Sequence, residues 1–370
     1  PILRGLKGVN IGILLAITLT TILATRVLIG GTTAPIVAGL WAGLNPYLLI
    51  AVNDFYSDLF AALLFTILCA SLALTVSLSP LRRSPKQTKG WPALGAAVIA
   101  GLALGGLILV KAVFIYTGVL ILCGFLGAAY QLKSWQPLRQ GLAVLLVGYL
   151  VVGGWIWRNY TQLGQASVAG RDGEILAIRA EYTQATWPEY MLSFCAFTPI
   201  CKDEILPRIA PQAAIHLHES KRGGFYRRTK DRIDAMRKSH SGSISAGQAD
   251  IDKQLSKDAI ALIRRHWFKH CALILTFAYR GMLPHFPYFI AFWVFVGIAW
   301  RTQNPSLWLF LIPSLYSFCV YALASHYIDR YSVPLLPSLS ILLAPLSVSA
   351  VRSRFSKTQN RRSPTLNQTP

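Results

Sequence analysis

The stretch that decides the fold is LFAALLFTILCASLALTVSL, Leu59 to Leu78. Its 20 residues carry no charge, and a helix of that length rises about 30 Å, the thickness of a bilayer's hydrocarbon core. Outward from it the pattern recurs. Apolar runs at Asn10 to Leu28, Thr33 to Ala51, Ala93 to Val110, Ala112 to Tyr130, Gly141 to Trp157, Met282 to Trp300, Leu307 to Ser325 and Ser332 to Val351 bring the expected number of spans to about nine. The expected fold class is an all-α polytopic membrane protein with one large, mostly helical extracytoplasmic loop.

Composition agrees. The 370 residues are 54% apolar and 14% charged, with a mean hydropathy of +0.46, whereas soluble domains carry about 25% charged residues. The formal net charge of +21 could suggest nucleic acid, but such a partner needs a concentrated basic face. Here the cations sit between apolar runs, so no nucleic-acid partner is expected. They report orientation instead. One set of connections holds Arg82, Arg83, Lys86, Lys89, Lys133, Arg139, Arg301, Arg352, Arg354, Lys357, Arg361 and Arg362, and the opposite set only Arg4, Lys7, Lys111 and Arg330. The richer set is assigned to the cytoplasm.

Four regions follow: transmembrane helices over 1–157, an extracytoplasmic loop domain over 158–281, further transmembrane helices over 282–351 and a disordered basic cytoplasmic tail over 352–370. The loop is punctuated at Thr198-Pro199, Leu206-Pro207, Ala210-Pro211 and Ser239 to Gly247. Ser256 is expected to cap a helix over Lys257 to Tyr279, with Asp258 in its first turn. That helix turns apolar toward Cys271 to Phe277, where it could lie on the membrane or enter it. The chain opens with Pro1 and shows no cleavable signal pattern.

Ionisable residues near spans are costly and mark sites. Asp54 and Asp58, in Asn53-Asp54-Phe55-Tyr56-Ser57-Asp58, share a face if that turn is helical; otherwise both solvate the loop. At the same end, Arg330 could hold an anionic headgroup beside His326 and Tyr331, or pair locally with Asp329. Arg158 follows Trp155-Ile156-Trp157 and either serves such a site or snorkels. Lys111 separates two apolar runs with no room for a loop.

Metal signals are weak. His266 and His270 have helical ligand spacing, but Trp267, Phe268 and Lys269 lie between them. His216 and His218 precede Glu219 in a loop. No resident metal site is assigned, and a divalent metal as cofactor is left open. Cys69, Cys123, Cys271 and Cys319 read as small core residues, while Cys195 and Cys201 are candidates for a disulfide in the external loop. No GxGxxG, Walker or GxSxG motif occurs.

Five stretches in order carry a family likeness. They are Leu44-Asn45-Pro46 leading to Tyr56-Ser57-Asp58-Leu59-Phe60; Gly101 to Lys111; Trp155 to Gly164; Asp258 to His270; and Arg330-Tyr331-Ser332-Val333-Pro334-Leu335-Leu336-Pro337. In these the chain resembles the polytopic GT-C glycosyltransferases, which include protein O-mannosyltransferases and the aminoarabinose transferases of lipid A. The resemblance implies transfer of a sugar from a polyprenyl-phosphate donor to a lipid, glycan or protein acceptor outside a bacterial plasma (inner) membrane. It matches Asp58 to the family's second acid and Arg330 to a basic residue at the donor phosphate. Tyr331, His326, Arg158 and Lys111 are expected around that phosphate, and Asp54 is the other candidate catalytic acid.

The chain also departs from the pattern. Nothing corresponds to the family's first span and first external loop, so Pro1 to Asn10 is expected to enter just after them. Lys111-Ala112 replaces Arg-Pro, and Gly154-Trp155 replaces Pro-Trp. A polysaccharide polymerase or ligase is the enzymatic alternative, on Arg227-Arg228 and Arg264-Arg265 in the loop; a transporter or non-catalytic scaffold is the other.

Overall fold

The computed structural model describes residues 2–54, 57–78, 91–164, 166–168, 172–239 and 244–362; within these, the side chains of 2–4, 91, 163, 172, 244–249, 329 and 352–362 are outside the description. Arg82, Arg83, Lys86 and Lys89, and the side chains of Arg4, Asp329 and the basic tail, therefore lie outside it. The structure is 87% helical, with no strand among the described residues. Among the described residues, eight helices are long and apolar enough to cross a bilayer, which makes this a multi-pass membrane protein.

The N-terminal half runs through α1 (Ile2–Leu28), α2 (Thr33–Gly43), α3 (Pro46–Ala51), α4 (Asp58–Ser77), α5 (Trp91–Val110), α6 (Thr117–Gln131) and α7 (Gln136–Leu163). The central helix is α4, which packs against α1, α5, α16 (Pro305–Ala324) and α17 (Leu336–Arg362). It buries Leu59, Ala62, Phe65, Leu68, Leu72 and Val76, and being surrounded on every side it is apolar all round. Peripheral α1 leaves Leu15, Leu19 and Leu23 exposed, in position to face lipid.

Between α5 and α7 the contact is made by small residues. Gly101 and Gly105 lie one turn apart, and a Cβ on either would stand 2.7 Å from the carbonyl oxygen of Val144 or Gly148. Close backbone approach of this kind replaces the hydrophobic drive that lipid removes.

The run Thr33 to Ala51, expected as one span, is divided. Asn45 is the N-cap of α3, its Oδ1 accepting from the backbone N–H of Tyr47 and Leu48, and Pro46 occupies the first turn. Its amide also donates to Tyr288 Oη at 2.8 Å, and Tyr288 donates to the Trp41 carbonyl at 3.0 Å. The polar groups freed by the break are thereby satisfied inside the bundle, the condition on which a broken helix survives in a membrane.

The segment after α7 folds as α8 (Asp172–Glu181), α9 (Trp187–Ala196), α10 (Leu206–Ile209), α11 (Pro211–His216), α12 (Phe225–Ser239), α13 (Ile244–Arg265) and α14 (Trp267–Met282), and α15 (Phe286–Thr302) returns to the bundle. Ala177, Ala180, Ile233, Ile251, Leu255 and Ala259 form a small core of α8, α12 and α13, edged by Glu174 paired with Lys230 and Arg237. Cys195 and Cys201 are disulfide-bonded, with Cα atoms 5.1 Å apart.

Several expectations need correction. Ser256 caps nothing: it lies inside α13, whose apolar stripe begins upstream, and the helix breaks at His266 instead. The region from 352 is helical through Arg362, because α17 continues past its apolar part. Cys69 is buried, but Cys123, Cys271 and Cys319 are exposed rather than core residues. His270 is buried, whereas His266 is half-exposed.

Candidate functional site

Asp58 opens α4, where the positive end of the helix dipole favours its negative charge, and its side chain is 5% exposed. Lys111 donates from Nζ to Asp58 Oδ1. It can do so because the chain leaves the α-helix at this residue: α5 ends at Val110, Lys111 is extended, and a 3₁₀ turn follows over Ala112–Tyr116. Two tyrosines fasten that turn, Tyr149 Oη donating to the Ile115 carbonyl at 2.5 Å and Tyr316 Oη to the Val113 carbonyl.

Arg330 brings a second cation, its Nε 3.7 Å from Asp58 Oδ2, and its side chain is 41% exposed toward the mouth of the bundle. It sits in the 3₁₀ turn Asp329–Tyr331 between α16 and α17. The next ring, Tyr331, stacks on Tyr321 of α16 with centroids 4.5 Å apart and planes at 11°. Asp58, Lys111 and Arg330 thus converge from three separated segments, and among the described side chains two cations face one carboxylate.

Nearby lies a second polar group, of which sequence reading singled out His326 and Glu219 separately but missed Arg280 and the joint it makes. Arg280, near the end of α14, donates to Glu219 Oε1 at 2.5 Å and to the His326 carbonyl at 3.2 Å. The His326 ring stands 5.2 Å from Tyr226 of α12 and 6.0 Å from Tyr331. Burial, reinforced by Arg280, holds the His326 imidazole down to about 4, so the ring is neutral at pH 7 and is no cation for a phosphate. Burial alone would raise the Glu219 carboxyl, but Arg280 outweighs it and holds the group below its ordinary value. Gly281 completes the joint: a Cβ there would fall 2.2 Å from the Tyr327 ring, and its carbonyl accepts from Ser332 Oγ at 3.1 Å. The one signal available in sequence was that Glu219 is the sole acid between Glu204 and Asp231.

Other expected residues are placed elsewhere. Asp54 does not share a helical face with Asp58, since α3 ends at Ala51 and α4 begins at Asp58; its carbonyl accepts from Asn10 Nδ2 at 3.1 Å. Arg158 is exposed on α7, stacked 4.8 Å over Trp155 and bonded to Asn159 Oδ1 at 3.0 Å, the geometry of an interfacial snorkel. His216 meets Glu189 at 2.5 Å, and no three metal-ligating side chains gather among the described residues. Arg227 pairs with Asp231 and Arg228 with Glu181.

Comparison with protein-family models, curated proteins and solved structures found no match.

Proposed function

We propose that this chain is a membrane glycosyltransferase that moves a sugar from a polyprenyl-phosphate donor to a lipid, glycan or protein acceptor on the outer side of a bacterial plasma (inner) membrane. The observation that carries the reading is the meeting of Asp58, Lys111 and Arg330 at one mouth of the bundle. Each comes from a stretch that resembles the GT-C enzymes.

In such a transfer the acceptor hydroxyl attacks the anomeric carbon, the sugar–phosphate C–O bond breaks, and its electron pair goes to the departing phosphate. Lys111, from a buried position, and Arg330, from the open mouth, would stabilise that growing charge. The planar guanidinium suits phosphate oxygens. Asp58, engaged by both cations, serves best as the carboxylate that positions them. The hydroxyl's proton passes to a general base, for which Asp54 is the remaining candidate acid.

A transporter reading draws on one observation, the break between α2 and α3 at Asn45. Proteoliposomes supplied with a radiolabelled polyprenyl-phosphate sugar separate the two. Transfer of label to acceptor, reduced by about a hundredfold or more in Asp58→Asn, supports the enzyme; movement of intact donor across the bilayer without transfer supports the transporter.

A further inference from the structure

The α14 helix has two unlike sides. Along one, it is bonded to the external domain from end to end: Lys269 Nζ donates to the Ala185 carbonyl at 2.7 Å, Tyr190 Oη to the Ala272 carbonyl at 3.2 Å, and the Thr198 and Tyr279 hydroxyls meet at 2.8 Å. Leu273 and Phe277 are buried on that side. The other side carries Trp267, Phe268, Cys271 and Leu275, all exposed, the three large side chains by 60% or more. The spacing is that of one helical stripe. Trp187 of α9 stands 5.9 Å from Phe268, and Met191, one turn on, is 66% exposed, which extends the apolar face.

Two features identify what covers this face. The first is connection. The α14 helix runs through a 3₁₀ turn into α15, whose Phe286 and Ile290 are exposed, so the stripe leads, across the buried and half-buried residues 276–285, toward the apolar surface of a spanning helix. The joined apolar stretch Trp267–Thr302 has 36 residues, well over the roughly 20 a crossing needs, and the bonds above keep the α14 part with the external domain. The second is charge. Arg264 and Arg265 are exposed at the end of α13, separated from Trp267 only by His266, and no acidic residue stands between Asp258 and Met282. Aromatic rings beside cations mark the headgroup level of a bilayer.

We propose that the exposed faces of α14 and α9 are immersed in the outer leaflet of the same bilayer that the bundle spans, with Arg264 and Arg265 on anionic headgroups. The external domain is then held against the membrane and not raised above it, and its Glu219–Arg280 joint sits at headgroup depth. This holds whatever the mouth binds.

Spin labels test it on the full chain. Nitroxides are attached at Phe268→Cys or Leu275→Cys in a chain with Cys123, Cys271 and Cys319 replaced by Ser, or at the native Cys271 with Cys123 and Cys319 replaced by Ser, in vesicles of phosphatidylethanolamine and phosphatidylglycerol. The native-site label keeps the test decisive if either variant fails to fold. Immersion predicts that oxygen relaxes the labels severalfold more than a water-soluble nickel chelate does. Stronger relaxation by nickel overturns the proposal by placing the face in water, and weak relaxation by both overturns it by placing a second copy or another protein there. Replacing phosphatidylglycerol by phosphatidylcholine should move the labels toward the nickel response, and an unchanged depth overturns the headgroup contact.

Discussion

Lys111 is 11% exposed and Asp58 5%, so removing Asp58 strands Lys111 away from water, while removing Lys111 leaves Asp58 with Arg330 alone, 3.7 Å away. A buried pair broken on one side costs about 3–5 kcal/mol, whereas removing both partners costs far less. Asp58→Asn should destabilise the protein in detergent by about that amount, Lys111→Met by less because Arg330 remains beside Asp58, and the double variant by much less than their sum. Additive losses in denaturant titrations would mean that the two do not form the pair described. His326 and Glu219 contribute to the acid side of the pH profile, alongside Glu174, Glu189 and His218, which are also held below their ordinary values. An unfolded histidine takes up its proton near 6.5, while folded His326 resists protonation down to about 4. The stability that depends on the neutral ring is therefore full above pH 6.5 and declines as the pH falls toward 4. The lowered Glu219 carboxyl adds loss in the same direction as the pH enters the ordinary carboxylate range. The thermal midpoint should drop between pH 7.5 and 4.5 and drop less in His326→Gln; an equal drop in both would remove His326 from the account. Asp58 and Arg330 stood out in sequence because charged residues are scarce at that end of the spans. Arg280 and its pairing with Glu219 did not, because nothing local says that α14 brings its end to the mouth.

Among the elements, the α5–α7 contact makes the sharpest claim. Gly105 faces the Gly148 carbonyl at 2.7 Å from its would-be Cβ and the Val151 Cβ at 2.8 Å, and neither can swing aside as a flexible side-chain tip could. Gly105→Val should force α5 and α7 apart and destabilise by about 1–3 kcal/mol, whereas Ala at Gly153, with open space around it, should be nearly neutral. Equal midpoints for Gly105→Val and the native chain in a thermal melt would contradict the packing. The same scale shows where sequence reading fell short. Span positions were legible because length and apolarity decide them. The division at Asn45 was written in the Asn-Pro pair, an N-cap followed by a first-turn proline, but the unbroken apolar run around it masked the signal. Ser256 misled for the converse reason: a good capping residue was taken for a helix start although the apolar stripe of α13 had begun earlier, at Ile251 and Leu255.

Over the whole molecule, one end of the bundle gathers the Asp58, Lys111 and Arg330 group together with the joint to the external domain. The other end is marked by Gln131 bonded to Gln303 at 3.3 Å and Ser77 to Ser306 at 3.1 Å. By the positive-inside rule the twelve-to-four distribution of Lys and Arg is expected to turn the first end outward, the side on which the proposed transfer would use a polyprenyl-phosphate sugar. A polyprenyl phosphate carries its charge at headgroup depth, and Arg330, with its side chain 41% exposed, is the cation of the group most open to such a ligand. Direct binding of a radiolabelled polyprenyl-phosphate sugar to the purified chain in lipid nanodiscs is the measurement closest to the claim. The account predicts binding by the native protein, about tenfold weaker binding for Arg330→Lys, a loss of ~1.4 kcal/mol, and a larger loss for Arg330→Ala. Equal binding by the native protein and Arg330→Ala would contradict it.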